Sequence, residues 1–339
     1  MQIKNKIYLL ISIFLSLILL STNNFADEFN ISAVEIFVDK KNETIQGKGS
    51  VEALDKEGRL VKADKVKYIK AKELLLAEGS VEVIDPDGNV LKTDKLQYNK
   101  IKNIIISEKN SILSTKEGYE LRTNKINYNI TKKIMQSDQN SILTDLDGNT
   151  VNLNMFQYDL EKKLFSSIGD IKIIDINKNK YFFKELYVDA DKKEMVGSNV
   201  AARLDQENFG LSKKNDPRFV ANDIFVSEKK SSFSKAVFTV CKEKKGKCPP
   251  WSIQAKKISH DKLKKTIYYD HAILKVYDVP IFYFPKFFHP DPTVKRQSGF
   301  LAPFFTDSTS VGTGFGLPYY WAISNDKDIT FTPKFYNNE

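Results

Sequence analysis

Four turn signatures, Asp55-Lys56-Glu57-Gly58, Asp85-Pro86-Asp87-Gly88, Thr115-Lys116-Glu117-Gly118 and Asp145-Leu146-Asp147-Gly148, place a glycine every 30 residues. Tyr68, Tyr98, Tyr128 and Tyr158 keep the same interval. A fifth, degraded copy opens at Asp175-Ile176-Asn177-Lys178, with Tyr187 one residue out of phase, and Gly49, Gly79 and Gly169 also fall on the grid. A fixed period of this length constrains the fold more than any bulk property. One short unit cannot bury its apolar face alone, so successive copies must stack.

Each copy reads as β. An Asp followed by Gly supplies the positive φ that a tight hairpin turn needs. After each turn the apolar positions alternate: Val66 and Tyr68, Leu96 and Tyr98, Ile126 and Tyr128, Phe156 and Tyr158. Period two means one buried face. A second strand per copy is denser in apolar residues, as at Leu74-Leu75-Leu76 and Ile104-Ile105-Ile106. Two-strand units stacked this way are expected to form an all-β trough between two sheets, floored by these ladders together with Ile104 and Ile106. Two readings of that floor stand: a core filled by its own side chains, or a continuous apolar channel suited to acyl chains. Periodicity does not separate them.

Lys4 and Lys6 precede an apolar run from Ile7 to Leu20, so residues 1–26 read as a secretory signal. Export changes the meaning of the net charge of +9. An exported chain meets no nucleic acid; the anions it would meet are lipid phosphates. Cys241 and Cys248 flank a hydrophilic loop containing Gly246. In an oxidising compartment a disulfide is expected, worth roughly 2–3 kcal/mol. A metal half-site is the alternative, but His260, His271 and His289 have no ligand-like spacing. No metal and no cofactor are expected.

The repeat fades between Glu207 and Ser234, and strands resume to about Tyr277. Composition then changes abruptly. Pro280, Phe282, Phe284, Pro285 and Phe287 belong to a proline-studded aromatic stretch that cannot be an interior strand. It suits a membrane interface, an aromatic plug of the trough, or both. Beyond it, about three aromatic strands separated by short polar turns read as transmembrane β-strands. Three strands with open edges leave backbone groups unpaired in hydrocarbon. Either they pack in water or the gene product is truncated, and truncation is the expectation. The domains are thus a signal at 1–26, a periplasmic β domain at 27–279, a junction at 280–298 and barrel strands at 299–339.

These residues resemble the LPS-assembly family LptD, also known as the organic-solvent-tolerance or OstA family. Residues 47–205 look like its β-jelly roll. The stretch Val279-Pro280-Ile281-Phe282-Tyr283-Phe284-Pro285, followed by Lys295-Arg296-Gln297-Ser298-Gly299-Phe300-Leu301-Ala302-Pro303, is similar to its junction. Gly316-Leu317-Pro318-Tyr319-Tyr320-Trp321 and Asp328-Ile329-Thr330-Phe331-Thr332-Pro333 look like its first barrel strands. The resemblance implies transport of lipopolysaccharide to the outer leaflet of the outer membrane. Acyl chains would travel in the jelly roll and leave at a lateral seam. Pro303 and Pro318 match the family's seam prolines, each of which removes a ladder hydrogen bond; the plainer reading is that each marks a strand end. Implied partners are lipopolysaccharide, the outer-membrane bilayer, a periplasmic bridge protein like LptA and a lipoprotein plug like LptE. Better-known members pair distant cysteines, so pairing of Cys241 or Cys248 with residues outside this sequence stays open.

Two other classes compete. A soluble periplasmic bridge protein would use only the repeat and leave residues 280–336 without a role. A repeat surface protein would have a filled core and no lipid. No Ser/His/Asp set, phosphate loop or carboxylate pair points to an enzyme.

Overall fold

The computed structural model describes residues 29–205, 216–241, 250–290, 294, 296–301, 304–308, 310 and 312–336. The signal expected at 1–26, Cys248 and Pro303 lie outside the described residues.

Among those residues, 20 strands form one antiparallel sheet. Apart from three places where a strand is broken into two halves that share a partner, each strand hydrogen-bonds to the next in sequence. Leu60–Ile69 pairs with Leu74–Ile84, then Val90–Asn99, Ile104–Ser114 and Glu120–Asn129 follow. The meander ends with Thr266–Val276 against Val279–Pro290. The expected two-strand repeat is therefore present and the fold is all-β.

The mid-strand glycines explain how a single sheet makes a trough. Register shifts interrupt successive pairings at Lys48/Val51, Lys62/Lys65, Glu78/Val81, Lys92/Lys95 and Glu108/Ser111. Gly49 and Gly79 sit at these bulges with φ of 76° and 79°. Bulges bend strands, and here they fall in line and crease the whole sheet. Where Gln139 and Asn140 occupy this place the strand breaks outright. Ile134–Ser137 and Ser141–Thr144 then both pair with Glu120–Asn129. The walls of the trough are thus two halves of the same strands, where the sequence suggested two separate sheets. Contacts across the trough show the fold-over. Phe29 stands opposite Asp55 at one end of the strands. Its ring packs edge-on against Tyr68 and Tyr98 at the other end, with centroids 5.2 and 5.3 Å away.

Folding brings the two families of turns together as lips of the trough. In the Asp turns the first residue holds the fifth: Asp55, Asp85, Asp145 and Asp175 accept the backbone N–H of Arg59, Asn89, Asn149 and Asn179 at 2.7–2.8 Å. Asn89, Asn149 and Asn179 then accept the N–H of Lys116, Ile176 and Asp205 in the following turn. The opposite lip, here called the Lys turns, has its own 30-residue period. Glu43, Glu73, Asn103, Lys133, Lys163 and Lys193 all adopt positive φ between 43° and 53°. The carbonyls of the first five accept the N–H of Lys70, Lys100, Ile130, Leu160 and Ala190 in turn, at 2.8–3.0 Å. Both lips are therefore laced along their length.

The aromatic stretch is not outside the sheet. Val279–Pro290 is its closing strand, and carries Pro280, Phe282, Phe284, Pro285 and Phe287. Its outer side is a sheet edge, where proline's missing N–H costs no ladder bond. Six short strands follow, forming two three-stranded sheets. They are halves of three broken strands in a meander. Phe304–Ser308 pairs with Gly312–Gly316, which pairs with Lys334–Tyr336. Gly299–Phe300 pairs with Tyr319–Ala322, which pairs with Asp328–Phe331.

Candidate functional site

Cross-strand register fixes which side chains face the trough. Tyr68 opposes Leu75, Leu75 opposes Tyr98, and Tyr98 opposes Ile105, which opposes Tyr128. Directly opposed residues share a face. Ile105 is therefore the inward residue, and it is buried. Ile104 and Ile106, expected on the floor, point the other way; Ile106 opposes Gln97 and Asn127. The error comes from a run of three isoleucines, in which alternation is invisible.

Val66, Tyr68, Leu96 and Tyr98 are at most 3% exposed, so the first copies are filled by their own side chains. Ile126 and Phe156 remain buried, but Tyr128 and Tyr158 are only half-buried. The trough thus loosens from the third copy onward. Burial raises the hydroxyl pKa of both Tyr128 and Tyr158 above the usual tyrosine value.

A polar clasp closes the mouth where the trough is tightest. The Tyr98 hydroxyl donates to Asp55 Oδ2 at 2.7 Å, and Arg59 Nη1 donates to both groups at 3.2 Å. Lys100, on the opposite lip, donates to Glu57 and lies 3.8 Å from Asp55 Oδ2. Burial penalises the Asp55 carboxylate, but the bonds from Tyr98 and the Arg59 N–H and the charge of Lys100 outweigh it, and its pKa is lowered. Burial and the bond to Asp55 push the Tyr98 hydroxyl far above its ordinary range. Sequence spacing exposed Tyr98 and Asp55 separately; their union depends on the fold-over.

The crease carries a second feature that sequence reading missed. Thr93 Oγ1 lies 3.0 Å from Ser111 Oγ, which donates to Ser107 Oγ at 2.8 Å. Ser141 Oγ donates to Thr123 Oγ1 at 3.0 Å in the next copy. All are buried, and Thr93, Ser107 and Ser111 stand at places occupied by Ala63, Ala77 and Val81 one copy earlier. Aligning the copies would have revealed the change; searching for charged or metal-binding groups did not.

At the far end the trough turns aromatic. His289 Nδ1–H donates to the Pro290 carbonyl, leaving Nε2 to accept from the Tyr269 hydroxyl at 3.0 Å. Burial pushes Tyr269 up to about 12. The Phe284 and Phe287 rings lie 5.6 Å apart, and Phe282 reaches Phe315 of the C-terminal sheets at 6.4 Å. Pro318 separates Gly312–Gly316 from Tyr319–Ala322, and Pro333 separates Asp328–Phe331 from Lys334–Tyr336. The Pro318 carbonyl accepts the Leu301 N–H at 2.8 Å, and the Pro333 carbonyl accepts the Leu317 N–H at 3.2 Å. The expected partner of Pro318, Pro303, is outside the described residues. Cys241 carries a free thiol, with Sγ 3.8 Å from the Trp251 carbonyl oxygen; Cys248, its expected partner, is also outside them.

Residues 267–339, spanning the last strands of the large sheet and both small sheets, match the family model of the LptD protein. The LPS-assembly protein LptD of Shewanella denitrificans is 32% identical over 154 residues. Over these stretches the chain is similar to LptD. That match covers 44% of this chain but 19% of the Shewanella denitrificans protein. LptD of Shewanella oneidensis is 39% identical over 95 residues, or 27% of this chain and 12% of that protein. LptD of Coxiella burnetii is 35% identical over 100 residues, or 30% and 11%. The chain thus spans no more than about a fifth of the length of these LptD relatives. Among solved structures, LptH of Pseudomonas aeruginosa, the LptA homologous periplasmic component of its lipopolysaccharide transport device, is 16% identical. It covers 32% of this chain and 83% of its own, with a TM-score of 0.29, too loose a superposition to bear on function.

Proposed function

We propose that this chain carries lipopolysaccharide toward the outer leaflet of the outer membrane, its trough holding acyl chains in the periplasm. One observation carries the reading. An apolar interior runs through one creased sheet to an aromatic edge, and that edge meets broken strands of LptD type through Phe282 and Phe315. The C-terminal strands would be the first of an outer-membrane barrel. Phe300, Phe305, Trp321, Ile329 and Phe331 are all exposed, as lipid-facing positions should be. On this reading Pro318 weakens the lateral seam. A bridge protein like LptA would deliver the lipid, and a lipoprotein like LptE would fill the barrel.

The trough is partly filled, so lipid must enter by displacing side chains where they are loosest. Photocrosslinking groups at Tyr128 and Tyr158 should therefore capture lipopolysaccharide, while one at the exposed turn residue Leu263 should not. Equal labelling at all three positions, or none at Tyr128 and Tyr158, would overturn the reading. A surface structural protein, the competing class, predicts no labelling at any of them.

A further inference from the structure

We infer that the Lys turns form a cationic lip that binds the phosphate groups of the lipid whose chains enter the trough; this rests on the conduit reading above. Outer faces of the sheet neutralise their charges in register. Glu52, Lys62, Glu82 and Lys92 oppose one another in sequence across four strands, as do Lys65, Glu78, Lys95, Glu108 and Lys125 across five. Pairs such as Lys62–Glu52 at 3.3 Å and Lys95–Glu78 at 2.8 Å close these rows. Such alternation supports register and leaves little net field.

The lip departs from that rule. Lys72, Lys102, Lys132, Lys162 and Lys192 recur every 30 residues, all exposed, one in each Lys turn after the first, where Asn42 stands. The last two are held by carboxylates in their own turns, Lys162 by Asp159 at 3.5 Å and Lys192 by Asp189 at 2.9 Å. In the earlier turns those carboxylates are replaced by Ile69, Asn99 and Asn129. The Asn99 and Asn129 side chains still accept the N–H of Lys102 and Lys132, preserving the turn without neutralising the ammonium. Lys72, Lys102 and Lys132 make no ion pair among the described residues. Lacing between turns holds them in line. Two strand spacings separate successive Lys turns, so the ammonium groups recur at about 10 Å intervals. Across the mouth, the turns Asp85–Gly88 and Asp145–Gly148 each carry two aspartates and no cation, while Lys56, Arg59 and Lys116 only balance the acids of the other two, so that lip is net negative. The two lips are therefore opposite in sign, and only one suits an anion. Lys102 shares its turn with the clasp's Lys100 and Lys132 follows the half-buried Tyr128, so the free lysines run along the lip from the filled copies to the point where the trough loosens. A lipid seated with its chains behind Tyr128 would set its headgroup against this lip.

The test uses the full chain in a neutral detergent and two probes with identical acyl chains: lipid A bearing two phosphates, and the same lipid A after removal of both. The wild-type chain should bind the phosphorylated probe about tenfold more tightly, with a preference that shrinks as salt rises. Triple substitution K72Q/K102Q/K132Q should abolish the preference and leave binding of the dephosphorylated probe unchanged, which also reports that the trough is folded. K162Q/K192Q should retain most of it. Full preference in the triple variant, or none in the wild type, overturns the cationic lip while leaving the conduit reading standing. Failure of the wild type to bind either probe overturns both.

Discussion

Tyr98 donates its hydroxyl to Asp55 at 2.7 Å across 43 residues of chain, joining the Tyr ladder of one wall to the Asp turn of the other. The bond is buried and its acceptor is ionised, so its loss removes one of the donors that hold a buried charge, leaving Arg59 and Lys100 to hold it. Tyr98→Phe should lower stability by about 1.5–3 kcal/mol, the range for hydrogen bonds to charged groups. Urea unfolding would measure it, and a loss under about 0.5 kcal/mol would show that the clasp holds nothing.

The same carboxylate makes the clasp acid-sensitive. Its folded pKa lies below the ordinary aspartate value despite burial, because Tyr98, the Arg59 N–H and Lys100 favour the charged form. A depressed carboxylate stabilises the fold above its unfolded pKa of about 4 and loses that contribution as pH falls through the lower, folded value. Thermal melts should therefore drop more steeply below pH 4 in the wild type than in Asp55→Asn. Parallel curves would remove Asp55 from the acid response.

Facing within the isoleucine run can be tested directly. Ile105 is 6% exposed and belongs to the core, whereas Ile106 faces outward. Ile105→Ala should cost about 2–5 kcal/mol by removing core volume. Ile106→Ala should cost distinctly less in the same denaturation experiment. The reverse order would mean the register is slipped by one residue.

Pro318 interrupts the second C-terminal strand, and its lack of an N–H removes one possible ladder bond. Pro318→Ala should restore a donor and slow amide exchange around Leu317 and Tyr319. On the proposed function it should also tighten the seam and reduce lipopolysaccharide at the cell surface. Slower exchange with unchanged surface lipopolysaccharide would leave Pro318 as a strand terminator and remove it from transport.

Local signals were legible because they are written in adjacent residues. The Asp-x-x-Gly turns and the alternating Val66–Tyr68 pattern gave strands, turns and period without reference to distant chain. Pro280 and Pro285 pointed to a place outside the sheet interior, and the structure uses them on its closing edge strand. Ile104, Ile105 and Ile106 could not be assigned faces, because three identical residues carry no alternation and only cross-strand register orients them.

What the sequence determined by itself was the repeat, its β character and the inward placement of the tyrosine ladder, since hairpin turns and period-two burial act over a few residues. Tertiary structure alone decided that mid-strand bulges fold one sheet onto itself. It thereby decided that Asp55 meets Tyr98, that the first copies are filled while Tyr128 is half-open, and that unpaired lysines line one lip. Those outcomes depend on where a crease brings distant strand ends together, and bend direction and side-chain packing across a trough are set only when all the copies are stacked.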